Sequence, residues 1–223
     1  VNYPCGGAAH ICGQLLSGCV WDTRNALRAA NSTTYRTVLN ALAINSVLLH
    51  TGTAITPEIT VDFLTLDDED VNIFNGTPHY ASINTGFSAH NMLPPAGIDP
   101  IGIAFPDGRP ELLSPTEPTT FRVLVRGNTG TPREGTASLV LGAGQGFGTA
   151  SLTQISPNLY EATLPAMPCG QTVSYYITAS STADFTAQSP SAAPANAYTA
   201  VSAPSRTRLS VDEAESDRGW ALS

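Results

Sequence analysis

Apolar positions recur at helical steps through the first ninety residues and at alternate positions afterwards. Leu15, Leu16, Cys19, Val20 and Leu27 fall at three- and four-residue intervals. So do Tyr35, Val38, Leu39 and Leu42, followed by Val47 and Leu48. A shorter set is Ile59, Phe63 and Leu66; a fourth is Tyr80, Ile83 and Phe87, with His90 on the same face. This periodicity predicts four helices. The start and stop signals agree with it. Asn31-Ser32-Thr33-Thr34 separates the first two helices and can cap the second, and Gly52 ends the second. Thr56-Pro57-Glu58 opens the third with a capping residue and a proline in the first turn, and Thr77-Pro78 does the same for the fourth.

Beyond Pro94-Pro95 the period becomes two. Phe121, Val123 and Val125 alternate with Arg122, Leu124 and Arg126. Residues 137–141, 160–164, 173–179 and 197–201 read as further strands between Gly- and Pro-rich turns. The expectation is a multidomain α-then-β chain. Residues 1–95 form a partial all-α lobe of about four helices, and residues 96–203 an antiparallel β-sandwich of the immunoglobulin or fibronectin III kind. Residues 204–223 read as a linker or the start of a further module, because Trp220 stands near the end with little left to bury it.

Composition narrows the partners. Hydrophobic residues make up 42% of the 223 and charged ones 13%, so a sizeable core is available under a surface built mainly from Ser, Thr, Asn and Gly. The net charge is −8, and all ten basic residues are arginine. That balance gives no concentrated basic face for nucleic acid or anionic lipid. No apolar run approaches the roughly 20 residues of a membrane span. The sparse charge, the absence of lysine and the many Thr, Ser, Pro and Gly suit a secreted or cell-surface protein. The chain opens without an apolar leader, which reads as a leader removed or as an internal piece of a longer chain. The four cysteines, Cys5, Cys12, Cys19 and Cys169, fit no zinc ribbon. Cys12 and Cys19 would stand about 10 Å apart along one helix, too far to pair, and so are expected buried or bonded elsewhere.

Two stretches carry candidate chemistry. The first is "AAHICGQLLSGCVWDTRNAL", in which His10 stands just ahead of the helical pattern. A lone histidine there is most simply a surface or capping residue, and Trp21 is most simply core. The stretch nevertheless resembles a segment of the thermolysin-like zinc peptidases, the fungalysin branch especially, in which a histidine followed by Gly-Glu or Gly-Gln opens a long helix of the C-terminal lobe. The resemblance implies that His10 donates a hydrogen bond to the oxyanion of the tetrahedral intermediate, a role worth roughly 3 kcal/mol. It also places "GTPHYASINTGFSAHNM" at the lobe's last helix, with Phe87 as core anchor. Those enzymes bind zinc through a His-Glu-x-x-His helix and a downstream glutamate. No such motif occurs here: His50 is followed by Thr, His79 by Tyr and His90 by Asn. Zinc therefore belongs only to a complete parent domain, and this chain alone is expected to be inactive.

The second stretch is "LDDEDVNIFNG". Its simplest reading is a solvated acidic turn. Its functional reading is structural calcium, with Asp68, Asp70 and Asn72 at alternate positions like the first ligands of an EF-hand loop, and with the Phe74 carbonyl, Asp67 and Asn75 as further oxygens. The closing bidentate glutamate is missing; position twelve is His79. Asn31 and Asn75 open glycosylation sequons of little weight in a bacterial protein. Arg122 and Arg126 are most simply a strand's exposed face. In the β part, "YEATLPAMPCGQTVSYYITA" resembles a fibronectin III- or immunoglobulin-like module of secreted bacterial hydrolases. The resulting expectation is part of a secreted modular zinc metallopeptidase-like protein acting on peptides, partnered by its upstream half. The alternative is an extracellular structural or filament-forming protein built on a non-catalytic peptidase-like scaffold, partnered by identical subunits.

Overall fold

The computed structural model describes residues 1–142 and 147–204. The tail from 205 onward, with Trp220, lies outside the described residues. The chain runs α then β. Four helices come first: α1 (Ala9–Ala30), α2 (Tyr35–Leu49), α3 (Glu58–Asp67) and α4 (Tyr80–Ser88), with a 3-10 turn at Ile73–Asn75 between the last two.

Helix α1 buries Leu15, Cys19, Thr23 and Leu27, one residue every four. That stripe packs on α4, and the two backbones approach closely at Gly86. A Cβ at Gly86 would stand 2.1 Å from Thr23 Oγ1 and 2.4 Å from the Thr23 backbone nitrogen, so only glycine fits. Tyr80, Ile83 and Phe87 of α4 meet Ile59, Phe63 and Leu64 of α3 in one core, with the Phe63 and Phe87 ring centroids 4.7 Å apart. The core is tied below by Thr60, whose buried hydroxyl donates to the Met92 carbonyl at 2.9 Å. His90 lies past the end of α4, where it bonds the Val1 carbonyl and Asp22.

Several helical expectations need correction. Trp21 is 59% exposed rather than core. At about 100° per residue it lies nearly opposite the Leu15–Cys19–Thr23 stripe. Val47 and Leu48 of α2 are 71% and 80% exposed, because the packed face of that helix is Tyr35, Leu42 and Ser46. The connection before α2 does supply a cap, from Asn31: its Oδ1 accepts the Thr33 and Thr34 backbone N–H groups at 3.0 and 3.2 Å. Cys12 is disulfide-bonded to Cys5. Cys19 is a buried thiol and Cys169 an exposed one.

The β part is a two-sheet sandwich of ten strands: β1 (Ile101–Ala104), β2 (Leu112–Leu113), β3 (Thr119–Gly127), β4 (Ser138–Gly142), β5 (Phe147–Ser151), β6 (Thr153–Ser156), β7 (Leu159–Leu164), β8 (Thr172–Ser180), β9 (Thr186–Ser189) and β10 (Tyr198–Ser202). One sheet runs β1-β3-β7-β6. The other runs β2-β10-β8-β4-β5, with β9 also paired to β8. Every ladder is antiparallel except β2–β10. Phe121, Val123 and Val125 of β3 and Tyr160, Ala162 and Leu164 of β7 face Leu139, Val173, Tyr175, Ile177 and Ala179 across the core. Alternation made β3, β4, β7, β8 and β10 legible. Strands β5 and β6 carry no such alternation, β6 being exposed at all four positions, and β2 and β9 are too short to show one.

The helical part meets the sandwich at the loop after α3. Asn128, just past β3, donates from Nδ2 to the Asn75 and Asp99 carbonyls at 3.0 and 3.1 Å. The Asp99 N–H donates to the Phe74 carbonyl at 2.7 Å. Gly76 has φ 86°, and a side chain there would collide with Asn128, so the joint needs glycine on both conformational and steric grounds.

Candidate functional site

His10 stands in the first turn of α1, exposed, with no hydrogen-bond partner among the described residues. It shares the outer face of the helix with Ser17, Trp21, Arg24 and Arg28, which follow at seven, eleven, fourteen and eighteen residues. Helix α2 returns along α1 after a short connection, so its last turn lies near the start of α1. Leu16 and Val47 line one groove there. Trp21 of α1 and Ile44, Val47 and Leu48 of α2 are apolar and uncovered.

The other three histidines are each bonded to an aspartate. His50 Nδ1 is 2.8 Å from Asp62, His79 Nδ1 is 2.6 Å from Asp67, and His90 Nε2 is 3.0 Å from Asp22. They serve as ties between helices or within the loop, and no two share a partner. Among the described residues no group of three or more His, Cys, Asp or Glu side chains is placed to hold a metal ion. Among the described residues a zinc ion therefore finds no ligand set.

The acidic loop divides its six candidate oxygens. Asp67 turns inward: its carboxylate accepts from Thr77 Oγ1 and from the His79 backbone N–H, both at 2.6 Å, besides contacting the His79 ring. The Phe74 carbonyl accepts from Asp99 at the joint. Asp68, Asp70, Asn72 and Asn75 instead line a cleft of about 500 Å³ between the loop and the sandwich. Within the loop, Asp68 accepts the Asn72 N–H and Asp70 accepts Asn75 Nδ2, both at 2.7 Å. Burial pushes the Asp68 carboxyl up, and the neighbouring charge of Asp70 adds to the rise. The fully exposed tip residue Val71 has φ 66°, a conformation a β-branched side chain disfavours.

The far wall of the cleft comes from the sandwich and was not legible in sequence. It includes Phe105, Arg109, Arg126 and Tyr198. Arg126 departs from the expected exposed strand face: its side chain is only 16% exposed, and its Nη2 is 3.6 Å from Glu69. Burial lowers its pKa, while Glu69, Asp67, Asp70 and Asp68 act in the opposite direction. Its Nε is buried with no hydrogen-bond partner. Strand alternation correctly put Arg126 away from the sandwich core. Nothing in the pattern of β3 told that a loop sixty residues earlier would cover it. Arg122 behaves as expected, exposed and paired with Asp107.

No family model matches the chain, and no curated protein matches it. Among solved structures, a crystal structure of an engineered protein is similar at 16% identity with a TM-score of 0.35. That match covers 55% of this chain and 26% of the engineered protein's length.

Proposed function

We propose that this chain is the C-terminal part of a secreted, modular zinc metallopeptidase-like protein and is inactive without the half that precedes it. The observations that support the reading are the exposed position of His10 and the uncovered apolar residues of α1 and α2. A histidine without partners stands at the start of a long helix, α1 exposes Trp21, and α2 exposes Ile44, Val47 and Leu48. A helix that is apolar on its outer side as well as its inner side is normally covered. An upstream half docked on this face would bury it and bring its zinc and base toward His10, which would then donate to the oxyanion. The Cys5–Cys12 disulfide supports an oxidising, extracellular setting.

The test is activity of the parent polypeptide. The isolated chain with added zinc should not hydrolyse casein. The parent should hydrolyse it, and His10→Ala should lower kcat about 100-fold with little change in KM. A parent without a His-Glu-x-x-His helix, or an active parent indifferent to His10→Ala, overturns the reading. The exposed edge strand β6, with Ile155 half in solvent, favours the second reading, a surface or filament protein whose copies pair edge to edge. Activity in the parent would remove that alternative as the main function.

A further inference from the structure

The cleft between the acidic loop and the sandwich sets side chains of opposite charge on facing walls. Its carboxylates, Asp68, Glu69 and Asp70, all come from the helical side, and its guanidiniums, Arg109 and Arg126, both come from the sandwich. The two sets only partly satisfy each other. The Arg126–Glu69 approach of 3.6 Å is longer than a hydrogen bond, and the Glu69 side chain is 61% exposed. Arg126 keeps a buried Nε without a partner. Arg109 lies over the Tyr198 ring at 4.1 Å, which fixes its position at the rim. Ile103 and Ala104 supply apolar wall beside these charges, and apolar walls strengthen any charge pair formed within.

The charge pattern selects the ligand. A simple anion meets three carboxylates, and a simple cation meets two guanidiniums. A polyanion is opposed by the loop and by the chain's net charge of −8. A molecule carrying both signs, spaced along its length, satisfies both walls. The volume of about 500 Å³ lies in the range of small-ligand sites. We propose that this cleft binds a short peptide with both ends free, its ammonium held by Asp68 and Asp70 and its carboxylate held by Arg109 and Arg126. The site is built within this chain and does not rest on the peptidase reading.

Calorimetric titration of the whole chain with dialanine and with triglycine, in chelator and low salt, tests it. The free peptides should bind with a submillimolar Kd. N-acetylation or C-amidation should each weaken binding at least tenfold. Asp70→Asn should weaken the free peptide tenfold yet scarcely affect the N-acetylated one. Arg109→Gln should do the same for the free and C-amidated peptides. This non-additivity arises because variant and blocked end remove the same contact. Both positions are exposed, and circular dichroism of the variants confirms that they fold. Absence of binding at millimolar free peptide overturns the proposal. Equal binding of free and blocked peptides, or variants indifferent to which end is blocked, also overturns it.

Discussion

In the sandwich, the inward residues of β3, β7, β4 and β8 find one another across two sheets. Only Ile155 and Val201 among its described large apolar side chains stand in solvent. In residues 1–95, ten such side chains do so, among them Ile11, Trp21, Ile44, Val47 and Leu48. The two parts have comparable lengths, so size does not explain the contrast. A sheet pair hides both inner faces at once, whereas the four helices bury one stripe each and leave α2 with apolar residues on its outer side. The sandwich is finished in the sense that it covers its apolar side chains itself, and the helical part is unfinished in that it leaves more of them in solvent among the described residues.

The largest effects should come from the two cores. Phe63→Ala removes a ring packed against Phe87, and Leu139→Ala removes a side chain from the sandwich interior; each should cost about 3–4 kcal/mol. Hydrogen exchange, read separately over helix and strand amides, should show Phe63→Ala opening the helices while β3, β7 and β8 stay protected. Leu139→Ala should leave the strands folded but less protected. If either variant opened both parts equally, the distinction between a finished and an unfinished unit would fail.

Next is the disulfide. Cys5–Cys12 ties the segment ahead of α1 to the start of that helix, and Cys12→Ser should cost about 2 kcal/mol, again confined to the helices. Thiol titration gives an independent reading. Burial raises the Cys19 thiol to about 11, so in the native wild-type chain at pH 8 only Cys169 should react promptly. Prompt reaction of two thiols would mean that the helical core opens more readily than its packing implies. Smaller still is Leu48→Gln. Its side chain is 80% exposed, so stability should change by less than about 0.5 kcal/mol. Thermal melting of the variant beside the wild-type chain reads it. A clear loss of stability would show that the outer face of α2 is already covered within the chain.

The same contrast explains what could be read from sequence. The four helices were legible because each has one packed stripe, and Tyr80, Ile83 and Phe87 lie where the period put them. Five strands were legible by alternation. What failed depended on contacts between distant segments. Trp21, Val47 and Leu48 look like core because an apolar residue carries no mark of which face will be covered. Arg126 looks exposed because alternation reports only the face turned from the sandwich core, not the loop that later lies over it. Three-dimensional hydrogen bonds turn Asp67 toward Thr77 and His79 and leave Asp68 and Asp70 on the cleft beside two arginines. His10 was legible as a helix start; its chemistry rests on a resemblance that local geometry cannot supply.

The smallest predicted effect separates the two regions by sign. Asp68, on the loop, is raised above the ordinary aspartate range by burial and by Asp70. Asp107, on the sandwich, is held below it by the hydrogen bonds from Arg122. Asp68 takes up its proton more readily folded than unfolded. Its contribution therefore favours the folded state below the unfolded value of about 4 and fades as pH rises through the higher folded value. Asp107 runs the other way: its contribution is present above about 4 and is lost as pH falls through its lowered folded value. Acidification should first firm the loop, as pH falls from the raised folded value of Asp68 toward about 4, and then at lower pH loosen the contact between β3 and the loop that carries Asp107. Asp68→Asn should abolish the first response and Asp107→Asn the second, both read by amide exchange near each site. Calcium held by Asp68, Asp70 and Asn72 would reverse the loop's response, since acid would expel the metal and loosen the loop, and a chelator at pH 7 would lower the melting midpoint. The direction of the loop's response to acid therefore decides whether the positive charge facing these carboxylates is a bound ion or Arg126.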